Sequence, residues 1–340
     1  MNLKQLSEHL GLSQTTVSRA LNGYPEVSEK TRLRVQQAAR QLNYSPNTRA
    51  KSLATGRTHA IGHVLPISAS HEMVNPVFGD FIAGAGATYS DHGYEIVISL
   101  VKDQDEAEAY RSLHARGSVD GIIVHGPRMR DPRIPLLREL GLPFVVHGRA
   151  SDEPDPYSWL DINNQRAFER ATEFLLDLGH RRIALVNGLE FMDFAYRRRL
   201  GFEKALSERG LRADPALMRS EEMTEIFGYR SAREMLASDQ PPTAFLVSSM
   251  ITAIGIRRAI HEAGLEMGRD VSVITHDDDL GYLKNGHSVP IFTATRSSVR
   301  VAGERAAAML LDCIRDPGCV PKTQLMEAEL IIGASTGPAL

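Results

Sequence analysis

Apolar residues recur at helical spacing over the first fifty positions of the chain. Leu3, Leu6 and Leu10 share one face of a first helix. Gly11 interrupts this spacing, and Ser13 offers an N-cap hydroxyl for the helix that follows. This pattern predicts two short helices joined by a tight turn.

The second predicted helix has an apolar and a polar side. Val17 and Leu21 form its inward face, and Ser28 caps a third amphipathic helix after a loop. We therefore predict a small all-α helix-turn-helix headpiece over residues 1–45. Residues 46–57 are predicted to form a brief helix or linker, because Pro46 suits a first helical position and Gly56 ends the pattern.

From Ile61 onward, short apolar runs alternate with amphipathic stretches. The predicted strands cover residues 61–65, 94–100, 121–125, 143–147, 182–187, 244–248, 271–276 and 327–332. The predicted helices cover residues 78–91, 104–116, 164–178, 196–209, 228–237, 252–263 and 299–315. Alternation of this kind is typical of parallel sheets covered by helices, and the number of units favours two Rossmann-like α/β lobes.

Charge is divided unevenly along the chain. Residues 1–57 carry nine Lys and Arg side chains against three Glu, a net +6, whereas the whole chain is −3, which leaves −9 for the remainder. A basic module on an acidic body is typical of a DNA-binding headpiece. The polar side of the second helix could then contact base edges in a major groove.

Several classes of protein are disfavoured. The chain lacks a leader-like start and an apolar run of about 18 residues, so we expect a cytoplasmic protein that does not enter a membrane. Cys313 and Cys319 cannot form a disulfide framework, and we expect no metal or cofactor. Gly84-Ala85-Gly86 begins like a dinucleotide loop but lacks a third glycine, which favours close helix packing.

The headpiece motif resembles the LacI/GalR family of bacterial transcriptional regulators. The resemblance rests on Gly11-Leu12-Ser13, on Thr16 through Gly23, on Val27 through Arg32 and on Tyr44-Ser45-Pro46-Asn47. It extends through Gly179-His180-Arg181-Arg182-Ile183-Ala184, Arg198 to Phe202 and Asp277-Asp278. The resemblance implies a homodimeric repressor of carbohydrate genes that binds a palindromic operator.

The same resemblance implies a periplasmic-binding-protein-like effector domain over residues 58–340. We expect a first lobe of about residues 58–160 and 292–318, and a second lobe of about residues 161–291 and 319–340. A small effector, a sugar or oligosaccharide, would bind between them. The resemblance is strongest to regulators of alpha-glucoside or related oligosaccharide use.

The resemblance also assigns candidate DNA contacts. Gln14 and Thr15 follow the helix-capping serine and would select the operator, while Arg19 would reach a guanine edge or a phosphate. The remaining candidates would mainly orient the headpiece: Leu3, Ser13, Thr16, Ser18, Asn22, Ser28, Thr31 and Tyr44. Asn47, Ala50 and Leu53 correspond to a hinge helix that enters the minor groove. The alternatives are solvated helix surface for Gln14 and Thr15, and a flexible linker for the hinge.

Six residues are candidates for effector binding. Arg198 suits paired acceptors, and Asp277 follows a strand at the edge where ligands bind in open α/β sheets. The other four are Phe78, His125, Met223 and Ser249. The alternatives are a surface cation for Arg198 and ordinary packing for Phe78 and Met223. Met250 stands where relatives commonly carry a carboxylate, and Asn163-Asn164 where they carry Asp-Asn. The loss of the carboxylate at Met250 alters the usual hydroxyl-binding arrangement, and the alternatives are an effector that is larger, less polar or absent.

Two other functions fit parts of the sequence. The body alone would suit a cytoplasmic solute- or sugar-binding protein, and the whole chain would suit a sugar-modifying enzyme with an appended DNA-binding module. The basic headpiece argues against the first. The second needs a phosphate loop or an acid/base pair, and we find neither in the sequence.

Overall fold

The structure is a computed structural model that describes residues 1–44, 56–66, 76–277 and 279–340. The chain divides into two units, Met1–His59 and Ala60–Leu340. The predicted hinge residues Asn47, Ala50 and Leu53 lie outside the described residues. Within the described ranges, no helix is long and apolar enough to cross a bilayer.

The described residues of the first unit form three helices, as the sequence predicts: α1 (Leu3–Leu10), α2 (Gln14–Leu21) and α3 (Glu29–Gln41). Asn2 and Gln5 form a reciprocal capping box at the start of α1. Gly11 ends α1 with a φ of 64°, a left-handed conformation that glycine adopts without steric cost. The helices enclose a small core formed by Leu6, Leu10, Val17, Ala20, Val27, Val35, Ala38 and Ala39.

The second unit is a two-lobed α/β domain. In chain order its first elements are β1 (Ala60–Pro66), α4 (Pro76–Asp91), β2 (Glu95–Val101), α5 (Glu106–Ala115), β3 (Gly121–His125), α6 (Arg133–Glu139), β4 (Phe144–His147), β5 (Trp159–Ile162), α7 (Asn164–Asp177) and β6 (Ile183–Asn187). The elements that follow are α8 (Asp193–Glu208), β7 (Met218–Ser220), α9 (Glu225–Leu236), β8 (Ala244–Val247), α10 (Met250–Glu262), β9 (Ser272–His276), β10 (Thr293–Arg296), α11 (Val299–Arg315), β11 (Thr323–Met326) and β12 (Glu329–Ile331).

Each lobe is built on a six-stranded sheet. The first sheet has the order β11-β5-β4-β3-β1-β2, and all its described pairings are parallel. The second has the order β12-β10-β9-β8-β6-β7, and among its described strands only β12 runs antiparallel to its neighbour. The sequence-based prediction of two lobes with parallel sheets is therefore confirmed.

The lobe boundaries differ from those expected. β10 pairs with β9 and β12 in the second sheet, although we expected residues 292–318 in the first lobe. β11 pairs with β5 in the first sheet, although we expected residues 319–340 in the second lobe. β5 carries the end of the first sheet to Ile162, just past the expected boundary. These assignments depend on which distant strand accepts each hydrogen bond, and local apolar spacing does not contain that information.

Close helix crossings hold each lobe together. A Cβ on Gly84 of α4 would lie 2.0 Å from the Arg300 carbonyl oxygen on α11, and one on Gly303 would lie 2.2 Å from the Phe81 carbonyl oxygen. Only glycine permits this approach, so Gly84 serves helix packing, and the dinucleotide-loop interpretation is not supported. Since α11 follows β10, this crossing returns the chain to the first lobe.

Candidate functional site

The polar side of α2 is formed by a well-capped helix start. The Ser13 hydroxyl accepts a hydrogen bond from the Thr16 amide at 3.1 Å and contacts the Thr16 hydroxyl at 2.8 Å. Val17 is buried beneath, which leaves Gln14, Thr15 and Arg19 exposed on the opposite side. Side chains of this kind at the N-terminal part of a helix are suited to base-edge contacts.

The other predicted DNA contacts occupy different environments in the headpiece. Ser28 caps α3 by accepting from the Thr31 amide at 3.3 Å. The Asn22 amide group donates to the Ser18 carbonyl oxygen at 2.9 Å, which anchors the end of α2. Leu3 is half-buried against the core, so packing accounts for its side chain. Tyr44 also packs against the core, and burial raises the pKa of its phenol.

A cavity of about 240 Å³ lies between the two lobes of the second unit. All six predicted effector residues line it: Phe78, His125, Arg198, Met223, Ser249 and Asp277. The structure also places Asn164 in the lining and adds residues that the sequence reasoning missed, among them Phe81, His147, Asp161 and Phe194. The cavity is where the carboxyl ends of parallel strands from both sheets meet, the usual ligand position in such folds.

Arg198 is the central cation of this cavity. It is 5% exposed, so the surface-cation alternative is wrong. Its Nε donates to Asn164 Oδ1 at 2.8 Å and its Nη1 donates to the Ser248 carbonyl oxygen at 2.9 Å. The guanidinium also lies 4.8 Å from the Phe194 ring centroid. Burial lowers the pKa of Arg198 to about 10, against the opposing effect of Asp277 and Asp161, so the side chain remains cationic at neutral pH.

Asp277 lies beside Arg198 with an unusual backbone conformation. Its φ is 54°, and its amide donates to the Thr295 carbonyl oxygen at 3.1 Å. The Ser297 hydroxyl donates to Oδ1, and Oδ1 lies 3.1 Å from His276 Nε2. Burial raises the pKa of this carboxyl, but His276, Arg198 and Ser297 together bring it below its ordinary value. Asp277 is thus an ionised acceptor facing the cavity.

The first lobe contributes aromatic and imidazole rings. Strand register pairs His125 with His147, and the Phe81 ring stacks on His147 with centroids 4.2 Å apart. The Phe78 ring meets His125 edge-on at 5.2 Å. Burial, followed by the charges of neighbouring histidines and Arg133, lowers the pKa of His125 well below its ordinary value, and burial lowers that of His147 to about 4. Both rings are therefore neutral at neutral pH.

Asp161 was missed because its charged side chain interrupts the short apolar run of its strand, β5. Arg149 Nε donates to Asp161 Oδ2 at 2.7 Å, and Asn164 Nδ2 donates to Oδ1 at 3.3 Å. Burial raises the pKa of Asp161 despite the opposing charges of Arg149 and Arg197. The carboxylate therefore lies in the cavity wall with its lone pairs largely committed to the protein.

Ser249 and Met250 follow β8 at the positions where relatives commonly carry Asn-Asp. Ser249 caps α10, where its hydroxyl accepts from the Ile251 amide at 3.2 Å. Met250 is buried in the second-lobe core and does not line the cavity. The carboxylate expected there from the family pattern thus has no counterpart at this position, and Asp277 is the carboxylate beside Arg198.

Direct hydrogen bonds join the two lobes beside the cavity. Asp193 of α8 accepts from the Ser151 amide at 3.0 Å and from the Ser151 hydroxyl, and its own amide donates to the Pro127 carbonyl oxygen at 3.0 Å. Asp80 of α4 accepts from the Gly281 amide in the second lobe. These hydrogen bonds form only while the two lobes lie against each other, and we call this the closed arrangement.

Both units of the chain resemble known protein families. Residues 2–47 match the family described as bacterial regulatory proteins, lacI family, and residues 172–336 match the periplasmic binding protein-like domain. The chain is 48% identical over its full length, and over 95% of the relative's, to the HTH-type transcriptional regulator AglR of Rhizobium meliloti. It is 34% identical to the HTH-type transcriptional regulator RafR of Escherichia coli, with 82% of each chain covered.

Two solved structures resemble the whole chain. The lac repressor dimer bound to operator and the anti-inducer ONPF superposes with a TM-score of 0.85 at 26% identity, covering 99% of both chains. The complex of the transcriptional regulator CelR with cellobiose gives a TM-score of 0.73 at 27% identity, covering 98% of this chain and 99% of that one.

Proposed function

The chain belongs to the LacI family of bacterial transcriptional regulators, and we propose that it binds a neutral oligosaccharide in the interlobe cavity to control its affinity for a palindromic operator. Like its relatives, it is a DNA-binding regulator and not an enzyme. The finer parts of the proposal are the class of effector, the roles of individual residues, a homodimeric assembly and a cytoplasmic location.

The charge of the cavity supports a neutral effector. Among the described residues that line it, Arg198 is the one cation, against four carboxylates, on Asp161, Asp277, Glu221 and Glu222. His125 and His147 add no positive charge, because burial keeps their pKa values low. Arg149 pairs with Asp161 and Arg230 with Glu221 from outside the lining, so these two carboxylates are compensated. A phosphorylated sugar or a hexuronate would still find one lining guanidinium, that of Arg198, which already lies beside Asp277. An uncharged saccharide carries no such penalty.

The distribution of polar and apolar groups supports a saccharide. Arg198 and Asp277 offer a donor and an acceptor side by side, which suits adjacent hydroxyl groups. Phe78, Phe194 and Met223 offer apolar surface for the C–H faces of a sugar ring. This arrangement of Arg198 and Asp277 at 4.0 Å is the observation that carries the proposal.

The headpiece supports operator binding by two subunits. Gln14, Thr15 and Arg19 are exposed on α2, and one such helix reads only a half-site. The structure of the lac repressor dimer on operator is that of a relative, and we extend its mode of assembly to this chain as part of the proposal. Effector binding would move the lobes. This movement would change the spacing of operator half-sites that the two headpieces of the dimer can reach.

A saccharide screen tests the proposal. The probes are maltose, sucrose, trehalose, cellobiose and raffinose, with glucose 6-phosphate and galacturonate as charged comparators. A neutral oligosaccharide at 100 times its dissociation constant should stabilise the native state by about 2.7 kcal/mol and raise the melting temperature by several degrees. A shift produced only by the charged probes would contradict the neutral-effector proposal.

A second measurement links the cavity to DNA. The full chain is titrated against operator selected from a random-sequence pool, with and without the stabilising saccharide. We expect the saccharide to change the affinity for operator. We also expect light scattering of the protein at micromolar concentration to give the mass of a dimer. A monomeric mass, or operator affinity that does not respond to a saccharide that binds, would contradict the proposal.

A further inference from the structure

A second buried histidine lies behind the one that faces the cavity. His63 is on β1, and its Nδ1 lies 2.9 Å from Nε2 of His125, the last residue of β3. The two rings stack with centroids 5.2 Å apart, and His63 is fully buried. A hydrogen bond between two neutral imidazoles requires one ring to donate and the other to accept. The direction of this bond sets which nitrogen of each ring carries its proton.

Burial keeps both rings neutral. The pKa of His63 is lowered to about 3, first by burial and then by the nearby His147. The pKa of His125 is also lowered well below its ordinary value, by burial and by the charges of His63, His147 and Arg133. Each ring therefore carries one N–H at neutral pH, and only two arrangements of the pair are consistent with the bond.

The surroundings of His63 Nε2 distinguish these two arrangements. Among the residues that the structure describes, this buried atom has no hydrogen-bond partner. If His125 donated to His63, the proton of His63 would reside on Nε2 as a buried, unpaired N–H. An unpaired buried polar group costs about 1–3 kcal/mol, and orphaned N–H groups are rarer in proteins than acceptors that lack a donor. His63 should therefore carry its proton on Nδ1 and donate to His125.

The consequence for His125 is a defined donor at the cavity wall. With Nε2 accepting from His63, its proton must reside on Nδ1. His125 is 8% exposed and lines the cavity, and Nδ1 is not among the buried, unpartnered atoms of the described residues. This nitrogen is the polar atom of the ring that a ligand can reach.

We propose that His63 is a positioning residue that holds His125 in the Nδ1–H tautomer, so that His125 presents a permanent hydrogen-bond donor to an acceptor oxygen of the bound saccharide. The ligand half of this statement rests on the proposed function. The tautomer half concerns the protein alone. Together with Arg198 on the opposite lobe, His125 would place donors on both sides of the saccharide, and closure of the lobes would engage both.

Substitution of His63 by residues of similar shape tests the relay. In His63→Asn the side-chain Nδ2 occupies the place of the imidazole Nδ1 and can still donate to His125. The leucine side chain in His63→Leu has nearly the shape of asparagine but cannot donate a hydrogen bond to His125. The tautomer of His125 is read by magic-angle-spinning NMR of the full chain labelled with ¹⁵N-histidine, and its resonance is assigned from the spectrum of His125→Asn.

We expect His125 as the Nδ1–H tautomer in the unsubstituted protein and in His63→Asn, and a mixture of tautomers in His63→Leu. If His125 is Nε2–H in the unsubstituted protein, or remains purely Nδ1–H in His63→Leu, the proposal is wrong. A merely structural role for His63 would alter the melting temperature of the two variants similarly without separating their tautomers.

Saccharide affinity provides the second readout. The neutral saccharide found in the thermal screen should bind roughly two- to tenfold more weakly to His63→Leu than to His63→Asn, the range expected for one neutral hydrogen bond. Equal affinities would overturn the ligand half of the proposal. If no probe binds the unsubstituted protein, the proposed function fails, and the NMR measurement still decides the tautomer half.

Discussion

The guanidinium of Arg198 on α8 lies 4.0 Å from the carboxylate of Asp277, which follows β9. Both side chains belong to the second lobe, and both line the cavity. Arg198 helps to hold the pKa of Asp277 below its ordinary value, so each group stabilises the charged form of the other. Breaking a buried pair leaves an uncompensated charge, which costs more than losing an exposed pair.

We therefore expect Arg198→Ala to lower the free energy of unfolding by about 3 kcal/mol and to abolish the saccharide-induced rise in melting temperature. Urea unfolding and thermal-shift measurements check these effects. Arg199→Ala is the matched control, because that neighbouring guanidinium pairs with Glu190 at 3.3 Å and lies outside the cavity. A full saccharide response in Arg198→Ala would remove Arg198 from the site.

Asp193 joins α8 to the first lobe through Ser151, so it should favour the closed arrangement. Asp193→Ala removes hydrogen bonds to a charged acceptor, and we expect saccharide affinity to fall about tenfold because less of the protein is closed. Small-angle X-ray scattering of the saccharide-free protein should show a larger radius of gyration.

Asp214→Ala serves as the control for this change. Asp214 pairs with Arg182 at 3.4 Å within the second lobe, so its removal changes the charge without touching the contact between the lobes. Unchanged scattering and affinity in Asp193→Ala would show that the Ser151 contact does not control closure.

An element of the fold could be predicted from the sequence where the residues that determine it are neighbours along the chain. Strand β8 is a continuous apolar run and β6 is apolar up to its last residue, so local spacing suffices to find them. β10 reads Thr-Ala-Thr-Arg, and its burial comes from pairing with β9 and β12, which local spacing cannot reveal. Helix α6 was missed because it is only seven residues long.

The cavity shows the same division. Arg198, Asp277 and His125 were found because they lie in a recognisable motif or at predicted strand ends, and strand ends of parallel sheets converge. Asp161 was missed together with β5, of which it is the third residue. His63 lies within a predicted apolar strand, and only the register that places it beside β3 reveals its contact with His125.

Two glycines of α4 provide a matched pair for stability. A Cβ at Gly84 would lie 2.0 Å from the Arg300 carbonyl oxygen, whereas one at Gly86 would meet only the end of the Ile96 side chain at 3.4 Å. Gly84→Ala should therefore lower the free energy of unfolding by about 1–3 kcal/mol or more. Gly86→Ala should leave it unchanged or raise it by up to about 1 kcal/mol, since alanine favours the helix. Urea unfolding of both variants checks this, and equal destabilisation would contradict the close crossing of α4 and α11.

Acid should destabilise the second unit through its buried histidines. Folding lowers the pKa of His63 from 6.5 to about 3 and that of His147 to about 4, chiefly by burial. The unfolded chain therefore binds more protons below pH 6.5, and stability falls as the pH drops from there towards 4 and 3. Between pH 7 and pH 5 each of these rings should lower the free energy of unfolding by about 2 kcal/mol.

His63→Asn removes one of these groups and should reduce the loss of stability between pH 7 and pH 5 by about 2 kcal/mol. Urea unfolding at the two pH values measures this difference. His114→Asn, the same substitution at an exposed position of α5, controls for the change of side chain. An identical pH dependence in His63→Asn and the unsubstituted protein would contradict the burial of a neutral imidazole.

Gln14 is exposed at the first position of α2, and its amide can make a bidentate contact with adenine. Gln14→Ala should weaken discrimination at one base pair in each half-site by about 1–3 kcal/mol, or roughly 5- to 150-fold, while leaving binding to unrelated DNA unchanged. Selection from a random-sequence pool with the full chain measures this preference. Gln37→Ala is the control, since Gln37 is an exposed glutamine on α3. If Gln14→Ala and Gln37→Ala select the same operator with the same stringency, Gln14 does not read a base, because a glutamine that only covers helix surface leaves sequence preference untouched.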